Sequence, residues 1–148
     1  MEDFSIKKTR LDESAVHDIL TRFDTMFSPC LSTNINLEEY AKKLSEYANW
    51  IICKRSDETA GYIAFYENVE THIAFITSIC VLDTFRKFGV ATQMLNDMIK
   101  SLPDTIFEIK LECRKNNSPA INYYNRNGFA ILGEKEDKYI LSKALNRQ

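Results

Sequence analysis

The sequence predicts an α/β domain built on one mixed sheet with helices on both faces. Strand-length apolar runs alternate with segments of helical periodicity in the order β-α-α-β-β-β-α-β-α-β-β. The longest apolar run, His72 to Leu82, passes through a short basic turn directly into a helix. With 148 residues, 45% of them hydrophobic, the chain is long enough for one domain with a real core.

Phe4 to Thr9 alternates as a first strand. Asp12 or Ser14 can cap a helix to about Phe27, with Val16, Ile19, Leu20, Phe23 and Phe27 at helical spacing. Ser28 to Thr33 is a break, and Asn36 can cap a second helix through Leu37, Tyr40, Ala41, Leu44 and Tyr47. Trp50–Arg55 and Ala60–Tyr66 are strands joined by a turn around Ser56-Asp57-Glu58, and His72 to Leu82 is the fourth strand. Ala91, Met94, Leu95, Met98 and Ile99 line one face of the third helix, which Pro103 terminates. Ile106 to Cys113 is the next strand. Ser118 as cap, Pro119 in the first turn and Gly128 beyond the last turn delimit a short helix from Pro119 to Asn127. Strands near Phe129–Leu132 and Tyr139–Leu141 close the chain.

Composition narrows the function. A formal net charge of −2 and scattered basic residues give no field for nucleic acid or an anionic membrane. No segment has the length of a membrane helix, and Met1-Glu2-Asp3-Phe4 does not begin a signal peptide. Cys30, Cys53, Cys80 and Cys113 are widely spaced without a Cys-x-x-Cys pair, and the chain has two histidines, so no metal site is expected. A reduced, cytoplasmic setting is the simplest reading.

Two stretches carry chemistry. Arg86-Lys87-Phe88-Gly89-Val90-Ala91 joins a strand to a helix. The free amides of a helix N-terminus and its dipole favour a phosphate or pyrophosphate; Gly89 and Ala91 allow close approach, and Arg86 and Lys87 add charge. The turn has neither a Walker Gly-x-x-x-x-Gly-Lys-Ser/Thr nor a Gly-x-Gly-x-x-Gly. The second stretch, Asn116 to Phe129, places Asn117, Ala120 or Ile121, and Tyr124 along one helix face.

Together these stretches resemble the GNAT superfamily of acyl-CoA-dependent N-acetyltransferases. Its pattern Gln/Arg-x-x-Gly-x-Gly/Ala is met by Arg86, Gly89 and Ala91. Its later pattern Asn-x-x-Ala-x-x-aromatic-Tyr-x-x-x-Gly-Phe is met by Asn117, Ala120, Tyr123, Tyr124, Gly128 and Phe129. The resemblance implies a single GNAT-like domain over residues 1–148, with a mixed, mostly antiparallel sheet of about seven strands flanked by four helices.

It also implies acetyl-CoA as cosubstrate. The pyrophosphate would rest on Arg86, Lys87, Phe88, Gly89, Val90, Ala91 and Thr92, and the pantetheine arm on the main chain of Ile79, Cys80 and Val81. The Val81 N–H would donate to the thioester oxygen, and the Tyr124 phenol would protonate the leaving thiolate. Asn117 and Ala120 would lie beside the arm, with capping an equal reading for Asn117; for Tyr124 the acid role is favoured, with packing on the sheet as the alternative.

The general base is less legible. The fourth strand has no internal carboxylate; His72 at its start is one candidate, and a water held by Thr77 or Ser78 is preferred. Nothing near Cys80 in sequence lowers its pKa, so direct transfer is favoured over an acyl-enzyme. The connection from Phe27 to Asn34, including Phe27, Pro29 and Leu31, would face the acceptor, and its want of acidic groups disfavours a polyamine. A small-molecule primary amine, an amino sugar or amino acid, is the favoured acceptor, with a peptide or protein N-terminus open. A GNAT-fold module that binds acyl-CoA or a partner without catalysis is the rival reading. A homodimer through a sheet edge is a further expectation.

Overall fold

A computed structural model describes residues 4–26 and 35–146. Its elements follow the predicted order: β1 Phe4–Thr9, α1 Glu13–Phe23, α2 Leu37–Tyr47, β2 Asn49–Arg55, β3 Glu58–Asn68, β4 Ile73–Val81, α3 Val90–Ser101, β5 Glu108–Arg114, α4 Ser118–Arg126, β6 Ala130–Lys135 and β7 Lys138–Ala144. The strands form a seven-stranded mixed sheet in the order β1-β2-β3-β4-β5-β7-β6. β4 and β5 pair in parallel, as a helical crossover requires, whereas β1–β2, β2–β3, β5–β7 and β6–β7 are antiparallel. Contacts cluster in two compact units, Met1–Phe65 with Ser78–Ser101, and Tyr66–Thr77 with Leu102–Gln148.

In the first unit, helix starts follow side-chain chemistry. The Asp12 carboxylate, not Ser14, accepts from the Ala15 N–H at 2.8 Å, and Asn36 Oδ1 accepts from the amides of Glu38 and Glu39. α1 stops at Phe23 and tightens into a 3-10 turn, Asp24–Met26, short of the predicted end at Phe27. The end at Phe27 and the break over 28–33 lie outside the described residues.

Neighbouring residues of β3 show how helices cover the sheet. Tyr62 meets Phe23 of α1 edge-on at 5.0 Å and Trp50 of β2 at 5.3 Å. A Cβ on Gly61 would meet Met94 of α3 at 3.1 Å. Successive strand residues point to opposite faces, so α1 and α3 pack on opposite sides of the sheet. Burying Val16, Leu20, Phe23, Leu44, Met94 and Met98 against the strands drives the layering.

Gly61 also fixes β4. Its missing Cβ would lie 2.8 Å from the Cys80 carbonyl oxygen and 3.1 Å from Val81 Cγ2. The β2–β3 register shifts here, from Cys53↔Gly61 to Lys54↔Thr59, so Ala60 is left out of the pairing. The Ala60 carbonyl instead accepts the Leu82 N–H at 2.9 Å.

In the second unit, Ile73–Ile76 of β4 lie opposite Glu108–Leu111 of β5. β5 begins two residues later than predicted, because Ile106 closes a turn onto the Pro103 carbonyl. The N–H of Phe107 bonds the His72 carbonyl at 2.9 Å. His72 has φ 65, so β4 starts at Ile73. α4 is capped by Asn117 rather than Ser118: Asn117 Oδ1 accepts from Ala120 N–H at 3.2 Å, which makes Ser118 the first helical residue. β6 and β7 are longer than predicted, since a tight turn at Glu136-Asp137 (Glu136 φ 55) lets both strands run up to it.

Gly61→Ala is expected to lower stability by about 1–3 kcal/mol, because a methyl group meets backbone rather than a movable side chain. A urea midpoint equal to wild type would show that this approach is not tight.

Candidate active site

β4 ends at Val81 and the chain enters a 3-10 turn, Asp83–Phe88, where the sequence pattern suggests only a loop. Phe85 is buried beneath it. Gly89 then takes φ 71, the left-handed region open to glycine, and α3 starts at Val90. The first helical bond of α3 runs from Gln93 N–H to the Gly89 carbonyl at 3.1 Å. The amides of Val90 and Ala91 precede that bond and have no carbonyl four residues back within the helix. Space beside Gly89 is open: apart from its chain neighbours, nothing among the described residues lies within 4 Å of where its Cβ would stand. Amides, helix dipole and open approach together make an anion seat.

Arg86 is engaged in this turn. Its Nε donates to the Val81 carbonyl at 3.3 Å, and its guanidinium pairs with the Asp83 carboxylate at 3.1 Å. The side chain therefore ties the turn to the strand end. Lys87 lies over the Phe88 ring at 5.5 Å. Asp83 escapes a reading of the sequence, where its only signal is the i,i+3 spacing to Arg86.

The strand end offers main-chain groups with a defined direction. Because the Leu82 N–H faces β3, the N–H groups of Ile79 and Val81 point to the other edge of β4. Cys80 is buried, and burial pushes its thiol up to about 11, against the opposing pull of Arg86 and the Val81 N–H. At neutral pH it is a protonated thiol and a poor nucleophile.

Ser78, one of the two residues expected to hold a water, has a partner that sequence reasoning missed. Its hydroxyl lies 2.8 Å from that of Tyr62. Burial drives the Tyr62 phenol well above its ordinary range, so it stays protonated. A tyrosine in a buried strand needs a hydrogen-bond partner, and that was the available signal.

In the second unit, α4 closes in a Schellman motif that accounts for the spacing of Tyr124, Gly128 and Phe129. The Phe129 N–H bonds the Tyr124 carbonyl at 3.0 Å and the Gly128 N–H bonds the Asn125 carbonyl at 3.2 Å, with Gly128 at φ 91. The rings of Tyr124 and Phe129 stack edge-on at 5.6 Å, and Tyr123 meets Tyr124 at 5.5 Å. Tyr124 is thus held from both sides. Ala120 is half-buried on the same helix, and Asn117 Oδ1 is engaged in the cap.

His72 is built into a bracket. Its Nδ1 donates to the Thr105 carbonyl at 2.9 Å, and its ring lies 5.1 Å from that of Phe107. It stands at the opposite end of the nine-residue β4 from Val81. Phe27, Pro29 and Leu31 lie outside the described residues. Among the described residues no group of three or more His, Cys, Asp or Glu side chains could hold a metal. No helix there is long and apolar enough to cross a membrane.

Comparison with known proteins identifies the family of this arrangement. Residues 14–129 match the model of the Acetyltransferase (GNAT) family. An N-alpha-acetyltransferase of Sulfolobus acidocaldarius is 37% identical, over 72% of this chain and 75% of its own. An N-alpha-acetyltransferase of Saccharolobus solfataricus is 24% identical over 97% and 94%. The crystal structure of PaiA N-acetyltransferase from Thermoplasma acidophilum in complex with coenzyme A shares the fold, with a TM-score of 0.75 over 95% of this chain and 99% of that one, at 13% identity. The match over residues 14–129 and the 37% identity to the Sulfolobus acidocaldarius enzyme agree: the chain belongs to the Acetyltransferase (GNAT) family.

Proposed function

We propose that this chain transfers an acetyl group from acetyl-CoA directly to the α-amino group of a peptide or protein N-terminus, its two units acting as one acyltransferase domain. The observation that carries the acceptor is the name its relatives share, N-alpha-acetyltransferase, at up to 37% identity. The chemistry of β4 supports it. From Ile73 to Val81 the strand has no carboxylate and no histidine. An α-amino group, with a pKa of about 8, is roughly one-fifth neutral near pH 7.4, whereas an alkyl amine of pKa about 10.4 is neutral in about one molecule per thousand. An α-amine therefore asks much less of a base. This acceptor takes precedence over the small-molecule amine that loop composition favoured.

In this reading the pyrophosphate sits on the amides opening α3, and the thioester oxygen accepts from the Val81 N–H. The amine nitrogen attacks the thioester carbon, the C–S bond breaks, and the thiolate takes the Tyr124 proton. The proton lost by nitrogen leaves to solvent through a water on Ser78, and the Tyr124 phenolate regains its proton from solvent. Tyr62 would hold the Ser78 hydroxyl in place for that water. Cys80 remains a protonated thiol throughout. Free thiols at Cys53, Cys80 and Cys113 suit a reducing compartment such as the cytoplasm.

Thiol release from acetyl-CoA, measured across peptides with free or blocked N-termini, amino sugars and amino acids, tests the acceptor. Release with free N-termini alone is expected. Release with amino sugars but no peptide overturns the acceptor, and tight binding without release on any acceptor favours the non-catalytic module. Tyr124→Phe, which keeps the ring and the Schellman contacts, is expected to lower kcat by about 10²-fold or more while acetyl-CoA affinity holds. Unchanged kcat, with chemistry limiting, returns Tyr124 to capping and packing.

A further inference from the structure

An aromatic ring flanked by two cations stands at the mouth of the anion seat. Phe88 is 40% exposed and packs on Phe4 at 5.8 Å. The Arg55 guanidinium, at the end of β2, lies 6.0 Å from the Phe88 ring centre and 5.6 Å from that of Phe4. Lys87 covers Phe88 at 5.5 Å. Both cations are exposed, and neither has a carboxylate partner among the described residues. Arg86, beside them, is taken up by Asp83.

Phe88 and Gly89 also open a groove of about 570 Å³ along α3, lined further by Thr92, Gln93, Asn96, Asp97 and Lys100. The polar side chains Thr92, Gln93 and Asn96 offer hydroxyl and amide groups suited to a ribose or a base edge. At the far end, two turns along, Asp97 and Lys100 bring opposite charges three residues apart, so the groove's uncompensated positive charge lies nearer its Phe88 end. There Arg55 and Lys87 hold charge that no carboxylate among the described residues neutralises.

We propose that Arg55 and Lys87, set on the Phe4–Phe88 platform, form a phosphomonoester subsite that reads the 3′-phosphate of the coenzyme A nucleotide. The inference rests on the acetyl-CoA reading above and adds a specificity to it: the enzyme discriminates CoA from 3′-dephospho-CoA. Charge-assisted contacts of this partly exposed kind correspond to roughly tenfold in affinity. The preference is expected to shrink as salt rises, since both cations face solvent.

Calorimetric titration of CoA and 3′-dephospho-CoA tests it, on wild type and on the double variant Arg55→Gln/Lys87→Gln. Wild type is expected to bind CoA roughly tenfold more tightly than dephospho-CoA. The double variant is expected to lose that preference, its affinity for CoA falling much more than its affinity for dephospho-CoA, which loses only the charge Lys87 lends the pyrophosphate. Equal wild-type affinity for both ligands overturns the subsite and leaves the acetyl-CoA reading standing. An equal loss for both ligands in the variant also overturns it, because the cations would then shape the turn rather than read the phosphate. Binding of neither ligand to wild type overturns the acetyl-CoA reading and the subsite with it. Adenosine 3′,5′-bisphosphate against inorganic phosphate as competitor separates a nucleotide subsite from a bare anion site; equal competition overturns the proposal.

Discussion

Gly61 lies where any Cβ would come within 2.8 Å of the Cys80 carbonyl oxygen, and the geometry of the strand end and of the turn beyond it depends on this close approach of β3 to β4. It lets the Leu82 N–H reach the Ala60 carbonyl that the β2–β3 bulge has left out of the pairing. With the strand end held there, the Val81 N–H points to the edge opposite β3, and the Arg86 side chain returns to the Val81 carbonyl. The 3-10 turn then has a fixed start, and the left-handed Gly89 a fixed finish, for aiming the amides of α3. A strand that shifted here would carry both the Val81 N–H and the amides opening α3 with it.

Tyr124 illustrates how one residue can hold structure with some atoms while the acid role proposed for it rests on another. Its carbonyl and ring belong to the Schellman cap, where Gly128 supplies the left-handed turn and Phe129 the hydrophobic contact. Capping alone explains why a tyrosine ring and a Gly-Phe pair stand at this spacing, but it makes no use of the hydroxyl. A group anchored by carbonyl and ring presents its hydroxyl with little rotational freedom, which favours a positioned acid.

Much of this was legible in the sequence because it is local. Asn36 and Gly128 announce helix boundaries by their own chemistry, and the helices and strands of the described residues follow from periodicity. The turn from Arg86 to Ala91 was readable as a strand-to-helix passage for the same reason. The features hidden in the sequence are mostly non-local. The Tyr62–Ser78 pair spans sixteen positions, and the contact of Phe4 and Arg55 with Phe88 joins three distant segments. Asp83 was local but silent, since an acidic residue after a strand has many ordinary uses. The composition of one connection favoured a small-molecule amine, and the lack of a carboxylate within β4 left the base unassigned.

The measurement that bears most directly on the central claim is acetyl-CoA affinity in Gly89→Ala and Gly89→Glu, by calorimetry, with circular dichroism to follow the fold. Both variants carry the backbone strain of a side chain at φ 71, so their difference isolates a carboxylate placed beside the amides of α3. The account predicts modestly weaker binding for the alanine variant and loss of binding for the glutamate variant, with the fold retained in both. Equal affinity in the two variants, matching wild type, would contradict it.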